Sequence, residues 1–183
     1  AGAGDRLIVL LSGGASALMV QPAAGLTLED KQQLTRQLLA SGAGIDVING
    51  IRPKLSAIKG GRLAAAAVAR PEILVLVVSD VPGDEVGRIG SGPCSPDPVS
   101  LATARADLVR FGVEPGPRVR ACLADPAREP LPATHPAFAR CRYQVIARSA
   151  DGVAAAAGVL AGHGFRPVLL PEATGPARDT AAA

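Results

Sequence analysis

Three observations predict an α/β fold with a doubly wound, mostly parallel sheet and helices on both faces. Two runs, Arg6–Leu11 and Glu72–Asp80, are continuously apolar rather than alternating, which suits strands covered on both sides. Segments of helical periodicity separate the strand-like runs, and this alternation is the mark of a parallel sheet. The two strongest runs each empty into a glycine-containing loop, where open α/β sheets place their ligands.

The elements follow in order. Leu7–Leu11 and Ile73–Val78 are expected to be adjacent, parallel and central. Between them, "TLEDKQQLTRQLLASG" reads as a helix. Thr27 is a suitable N-cap, Glu29 and Asp30 favour the positive end, and Gly42 fits a C-terminal cap. Leu34 and Leu38, with Leu39 or Ile45, fall near one face. "IDVINGIRPKLSAIKGGRLAAAAVA" is helical in character but broken at Pro53 and at Gly60-Gly61, so two short helices are expected, the second from about Gly61. The long loop "VPGDEVGRIGSGPCSPDP" follows the second strand, and loops of that length in compact domains usually serve function. Then come "VSLATARADLVRFG", a helix closed by Gly112, a short helix "GPRVRACLAD", and a Pro-rich surface connection, Pro126–Phe138. "YQVIAR" is a strand, "DGVAAAAGVLAGHG" a helix capped by Asp151, and "RPVLLP" a fourth strand.

Composition narrows the function classes. With 48% apolar residues among 183, the chain supports a sizeable core, and with 2% aromatics that core must be built from Leu, Val, Ile and Ala. The net charge of +3 is scattered rather than gathered in a basic block, which argues against a nucleic-acid surface. Cys94, Cys122 and Cys141 are dispersed and form no CxxC, as fits a reducing compartment. Neither they nor His135 and His163 have metal-site spacing. No stretch has the length of a membrane span, and the N-terminus lacks the regions of a signal peptide. A cytoplasmic protein with no membrane or nucleic-acid partner is expected. The chain begins at Ala1 rather than methionine and ends in "DTAAA", so a fragment is expected.

Three features could carry chemistry, each with a plainer alternative. Ser12-Gly13-Gly14-Ala15-Ser16 follows the first strand. Its glycine amides and the hydroxyls of Ser12 and Ser16 could cradle an anion, or the glycines could simply make a tight turn. In "SDVPGDEVGRIGSGP", Asp80 leaves a buried strand and Asp84 follows; the two could hold Mg²⁺ or accept a hydroxyl proton, or they could be turn residues. In "NGIRPKLSAIKGGR", Lys59-Gly60-Gly61 could place an ammonium and free amides on a phosphate, and Arg52 could fork onto a carboxylate. Lys54 and Arg62 read as a solvated basic face, and Ser95, Asp97 and the cysteines as structural.

Taken together, "LLSGGASALM", "GLTLEDKQQLTRQLLASGAGIDVINGIRPKLSAIKGGRLAAAA" and "VVSDVPGDEVGRIGSGPCSPDP" resemble the bacterial glycerate 2-kinases that carry a C-terminal MOFRL domain, a family often named hydroxypyruvate reductase. The resemblance runs from about Arg6 to the last residue and keeps motif order. It implies a Rossmann-like larger domain and ATP- and Mg²⁺-dependent phosphorylation of D-glycerate to 2-phosphoglycerate. It also implies a cleft shared with the MOFRL domain. The motif positions map onto Ser12, Gly13, Gly14 and Ser16; onto Asn49, Arg52, Lys59, Gly60 and Gly61; and onto Ser79 to Asp84. Ser91 and Gly92 join the binding set. Lys59 and the glycine amides would take phosphate, Arg52 the glycerate carboxylate, and Asp80 or Asp84 the metal or the general-base role, with metal assigned to Asp80. All four segments are expected to line one cleft.

Two departures stand out. Arg52-Pro53-Lys54-Leu55 replaces the family's Arg-Lys-His-Leu, so Pro53 is expected to kink the helix and re-aim Arg52. Ser91-Gly92-Pro93-Cys94 replaces Ser-Gly-Pro-Thr, which removes a hydroxyl. The resemblance further implies that residues 1–183 are the middle of a kinase, lacking an upstream "GKA"-type lysine motif and the MOFRL domain, and inactive in isolation. Two rivals stand beside this reading. A hydroxypyruvate reductase would need a dinucleotide site, and no GxGxxG follows a strand here. A non-catalytic remnant would bind an anionic metabolite without turnover. A homo-oligomer is compatible with the sequence.

Overall fold

The structure, a computed structural model, describes residues 4–170. It falls into two units, 1–146 and 147–183. In the first, β1 (Leu7–Leu11) and β2 (Ile73–Ser79) pair in parallel, with Leu7 opposite Ile73 and Leu11 opposite Val77. β3 (Cys141–Arg148), most of it in this unit, flanks β2 on its other side, so the order is β1-β2-β3.

Between β1 and β2 lie α1 (Ala15–Leu18), α2 (Leu28–Ala40), α3 (Ile45–Ile51) and α4 (Arg62–Ala66). The start of α2 is fixed as its sequence suggests. The Asp30 N–H donates to Thr27 Oγ1 while Thr27 N–H donates back to the Asp30 carboxylate, so two orphan donors are satisfied. Its end is fixed by Gly42 at φ 77°, in the left-handed region where a side chain is costly. Leu34 and Leu38 are buried, but Leu39 and Ile45 are exposed, so the apolar stripe is narrower than the sequence suggested. Pro53 has the expected effect on α3. The α-helix stops at Ile51 and the chain tightens into a 3₁₀ turn over Arg52–Leu55. After β2 come α5 (Leu101–Arg110) and α6 (Pro117–Ala124).

Two cores result. Leu34, Leu38, Ile48, Ile51, Leu108 and Leu123 pack the helical layer against itself. Val9, Leu11, Ile73, Val75, Val77 and Ile89 form the second core beneath the sheet. The expectation that both faces of β1 are covered is not met. Val9 and Leu11 are buried, but Ile8 is 59% and Leu10 73% exposed, and β1 is an edge strand of the described sheet. Successive side chains alternate faces, so one face packs on the core while Ile8, Leu10 and Val78 of the other remain apolar and exposed. β2 meets the central expectation.

In the second unit, α7 (Ser149–Gly162) opens with Arg148 N–H donating to Asp151 at 2.8 Å; Asp151 therefore caps from the third helical position rather than from the cap itself. The expected fourth strand is not formed. Residues 165–170 carry no regular secondary structure, and Pro171 lies outside the described residues. No helix among the described residues is long and apolar enough to cross a membrane.

Candidate functional site

Because β1 and β2 run in parallel, the segments that follow them emerge at the same end of the sheet. Ser12–Ser16 leaves β1 and Asp80 leaves β2. They meet closely: a Cβ built on Gly13 would fall 2.0 Å from Asp80 Oδ2. Glycine at 13 thus lets the Asp80 carboxylate occupy the space a side chain would take. Gly14 is required for a different reason, since its φ of 77° turns the chain into α1. Among the described residues, neither the Gly13 nor the Gly14 N–H makes a hydrogen bond.

Ser16 is the hub of the next layer. Lys59 Nζ donates to the Ser16 carbonyl at 2.6 Å and also contacts Ser16 Oγ. Arg52 Nη2 donates to the same carbonyl at 3.1 Å. Ser16 Oγ shares a hydrogen bond of 2.7 Å with Ser91 Oγ. Segments far apart in sequence are tied together here by one residue of α1. Lys59 is 1% exposed. Burial, with the nearby Arg52 and Lys31 charges, lowers its ammonium pKa from 10.5 to about 7. Arg52 is likewise lowered by burial, and Lys31 by burial and by Arg52. Lys31, Arg36, Arg52, Lys59 and Ser16 line one cleft of about 370 Å³.

The structure divides the expected single cleft into two. Asn49, Gly60 and Ser91 line a neighbouring cavity with Asp46, Arg88 and Asp97 rather than the one containing Arg52 and Lys59. Asn49 lies in α3 and Arg52 opens the 3₁₀ turn that follows it, and the two line different cavities. In the neighbouring cavity Arg88 is ion-paired with Asp46 and Glu85. Asp84 closes the turn after β2, its N–H donating to Val81 O at 3.0 Å, and lines neither cavity. It and Ser91 are non-glycine residues with positive φ, 54° and 63°. Among the described residues, no group of three or more His, Cys, Asp or Glu side chains could hold a metal ion.

Three sequence expectations need correction. The Gly60 and Gly61 amides are not bare: Gly60 N–H donates to Ser91 O at 3.1 Å and Gly61 N–H to Gly92 O at 2.7 Å. Gly92 serves this lattice through its carbonyl. The double glycine closes the loop onto residues 91–92 and lets Phe138 approach, since a Cβ on Gly61 would lie 2.5 Å from that ring. Lys54 is not on a solvated face. It is 1% exposed and ion-paired with Asp97, whose side chain is 6% exposed. Arg62 is half-buried, with Nη2 donating to Glu129 O at 3.3 Å. At the second departure, the Cys94 thiol is buried and its pKa is pushed up to about 12 by burial. The cysteine at this departure therefore occupies a buried position. The sequence reading missed Lys31 and Arg36, although Lys31 and Thr35, and Gln32 and Arg36, are paired four residues apart along α2.

Comparison with known proteins places these residues in context. The family described as a domain of unknown function, DUF4147, matches residues 1–124. A protein of Agrobacterium vitis with a provisional hydroxypyruvate reductase name is 38% identical over 179 residues, 97% of this chain and 40% of the relative. The D-glycerate 2-kinase of Thermotoga maritima is 42% identical over 119 residues, 65% of this chain and 28% of the relative. The crystal structure of a glycerate kinase from Thermotoga maritima superimposes with a TM-score of 0.73 at 33% identity, over 88% of this chain and 37% of that one. The chain thus spans well under half the length of these relatives. With the family match covering more than half of its residues and the α/β fold shared, the chain belongs to the DUF4147 family.

Proposed function

We propose that the protein is a kinase that transfers a phosphoryl group from ATP to the hydroxyl of D-glycerate, giving 2-phosphoglycerate. The supporting observation is the meeting of Ser16, Arg52 and Lys59 in one cation-lined cleft beside the Gly13–Asp80 contact, at the carboxyl end of parallel strands. Relatives named D-glycerate 2-kinase and glycerate kinase supply the substrate class. Phosphoryl transfer asks a protein for positioning and charge stabilisation more than for covalent chemistry, and this cleft offers both.

In this reading Lys59 contacts transferring phosphate and Arg52 takes the glycerate carboxylate, each turning from the Ser16 carbonyl that now accepts it. Ser12, Gly13, Gly14 and Ser16 supply amides and hydroxyls. When bound, Mg²⁺ would spread the charge of the phosphoryl group that the nucleotide brings. The residues present fit such an ion: Mg²⁺ keeps several waters and uses one or two carboxylates plus phosphates, and Asp80, exposed against Gly13, offers one. Asp80 or Asp84 would accept the hydroxyl proton. Gly60, Gly61 and Gly92 act by holding Lys59 in place, and Asn49 and Ser91 by shaping the adjoining wall.

A reductase reading has weaker support. The turn after β1 reads Ser12-Gly13-Gly14-Ala15-Ser16 and lacks the GxGxxG spacing a dinucleotide needs. The full-length protein should form ADP from ATP and D-glycerate in a Mg²⁺-dependent way. Oxidation of NADH by hydroxypyruvate without ADP formation would replace the kinase reading with the reductase one.

A further inference from the structure

The cleft beneath α2 holds an electrostatic imbalance that two-residue recognition of substrate does not explain. Lys31, Arg36, Arg52 and Lys59 line it, and among the described residues no Asp or Glu does. Among the described residues none of these four cations forms an ion pair, although the protein has 16 acidic residues and pairs Lys54, Arg88 and Arg118 elsewhere. Three of the four are close enough to act on one another: Arg52 depresses both lysines, and Lys31 depresses Lys59. Gathering like charges in partly desolvated positions is unfavourable unless something of opposite sign completes the site. The neighbouring cavity shows the alternative, with Arg88 neutralised by Asp46 and Glu85.

We infer that Lys31 on α2, Arg52 after α3 and Lys59 before α4 form one binding site for a multiply charged phosphate compound, with Lys31 a direct ligand of it. A monoanion such as glycerate leaves most of this charge unanswered, whereas a dianionic phosphate ester or an oligophosphate matches it. Arg36, Gln32 and Thr35 sit on the same wall and supply further donors. The site lies across three elements, so it is rigid where the Lys59 end is anchored and open to solvent at the α2 end, where Lys31 is half-buried. This rests on the kinase reading and deepens it by giving the phosphate end of a substrate a place, with the guanidinium donors of Arg52 shared between that phosphate and the glycerate carboxylate, but it is tested by binding alone.

A consequence distinguishes this site from a general basic surface. Among the described residues, the groups facing Lys59 are the cations Arg52 and Lys31 and the carbonyl and hydroxyl of Ser16, and no carboxylate is paired with it. Its pKa of about 7 means that part of the free protein lacks a proton there at neutral pH. A polyanion raises that pKa, so Lys59 takes up a proton on binding, in addition to any proton that the ligand's own phosphates exchange.

The test is calorimetry on the purified protein with inorganic pyrophosphate, non-hydrolysable ATP, 2-phosphoglycerate and D-glycerate as separate probes, in two buffers of different ionisation enthalpy. Pyrophosphate is expected to bind with greater proton uptake to the wild type than to Lys59→Met, a comparison that cancels the ligand's own titration, and Lys31→Met to weaken it about tenfold or more while Lys31→Arg restores it. D-Glycerate affinity is expected to change less than threefold in Lys31→Met. Stronger binding of the nucleotide analogue than of 2-phosphoglycerate assigns the site to the donor, and the reverse assigns it to the product; either supports it. Wild-type affinity for pyrophosphate in Lys31→Met, or equal losses for pyrophosphate and glycerate, would overturn the inference. So would the absence of pyrophosphate binding by the wild type. Where Lys31→Met does not fold, the salt dependence of wild-type pyrophosphate binding decides: a steep fall with salt supports three cations, and a flat profile removes them. Binding without turnover leaves this site standing while the kinase reading falls, and turnover without the Lys31 effect does the opposite.

Discussion

Gly13 and Asp80 occupy one another's space: the backbone at 13 lies so near the carboxylate that a methyl group there would sit 2.4 Å from Asp80 Cγ. Asp80 is exposed, so its carboxylate can swing away when displaced. Gly13→Ala should therefore leave stability within about 1 kcal/mol while lowering kcat/KM at least tenfold, because Asp80 no longer points where it did. Gly14→Ala is the contrast. It has open space but a φ of 77°, so it should destabilise by about 1–2 kcal/mol. Urea unfolding and steady-state kinetics on both variants separate loss of position from loss of stability. Equal behaviour of the two would remove Asp80 from the site.

Lys54 and Lys59 are equally buried but differently accompanied. Lys54 neutralises Asp97, so Lys54→Ala strands a buried carboxylate and should cost about 3–5 kcal/mol of stability. Lys59 has no carboxylate partner among the described residues. Lys59→Met keeps its volume, removes a charge that repels Arg52 and Lys31, and should cost less than about 1 kcal/mol while lowering kcat/KM about ten- to a hundredfold. Thermal melts alongside kinetics check this. A Lys59→Met variant that unfolds like Lys54→Ala would mean that Lys59 serves the fold.

Much of the fold was legible because its signals are local. Thr27, Asp30 and Gly42 mark the ends of α2 by their own chemistry, and Pro53 ends α3 by lacking an N–H. The site was legible only as motifs. That Gly60 and Gly61 spend their amides on Ser91 and Gly92 depends on a loop thirty residues away, and nothing in "KGG" encodes its partner. The burial of Lys54 depends in the same way on Asp97. An unbroken apolar run such as Leu7–Leu11 states that either face can be buried, not that both are. Lys31 escaped notice because a lysine on an amphipathic helix reads as solvent-facing until the cleft beside it is seen.

The Lys59 pKa makes stability depend on pH in a defined direction. It falls from 10.5 to about 7 on folding, so between those values the unfolded chain binds more protons than the folded one. Stability therefore rises with pH across that window, by at most about 1.4 kcal/mol per pH unit from this residue. Below pH 7 both states are protonated and the penalty is constant. The difference in unfolding free energy between wild type and Lys59→Met should shift in favour of the wild type from pH 7 to pH 9. Parallel pH dependences for the two proteins would show that Lys59 keeps an ordinary pKa.

Ser91 offers the sharpest separation of strain from contact. Its φ is 63°, a conformation that costs a non-glycine residue about 1–2 kcal/mol, and its hydroxyl meets Ser16 Oγ at 2.7 Å. The loop retains this serine between Gly90 and Gly92, where a third glycine would relieve the backbone. Both Ser91→Gly and Ser91→Ala delete the hydroxyl, but only the first removes the strain. Ser91→Gly should therefore be more stable than Ser91→Ala by about 1 kcal/mol, while the two lose activity to the same degree, several-fold, through the loosened Ser16 that Lys59 and Arg52 both engage. Unfolding midpoints with kcat/KM on the pair measure this. If Ser91→Gly retained wild-type activity, the Ser16–Ser91 contact would have no part in positioning the cleft, and the strain at 91 would need another cause.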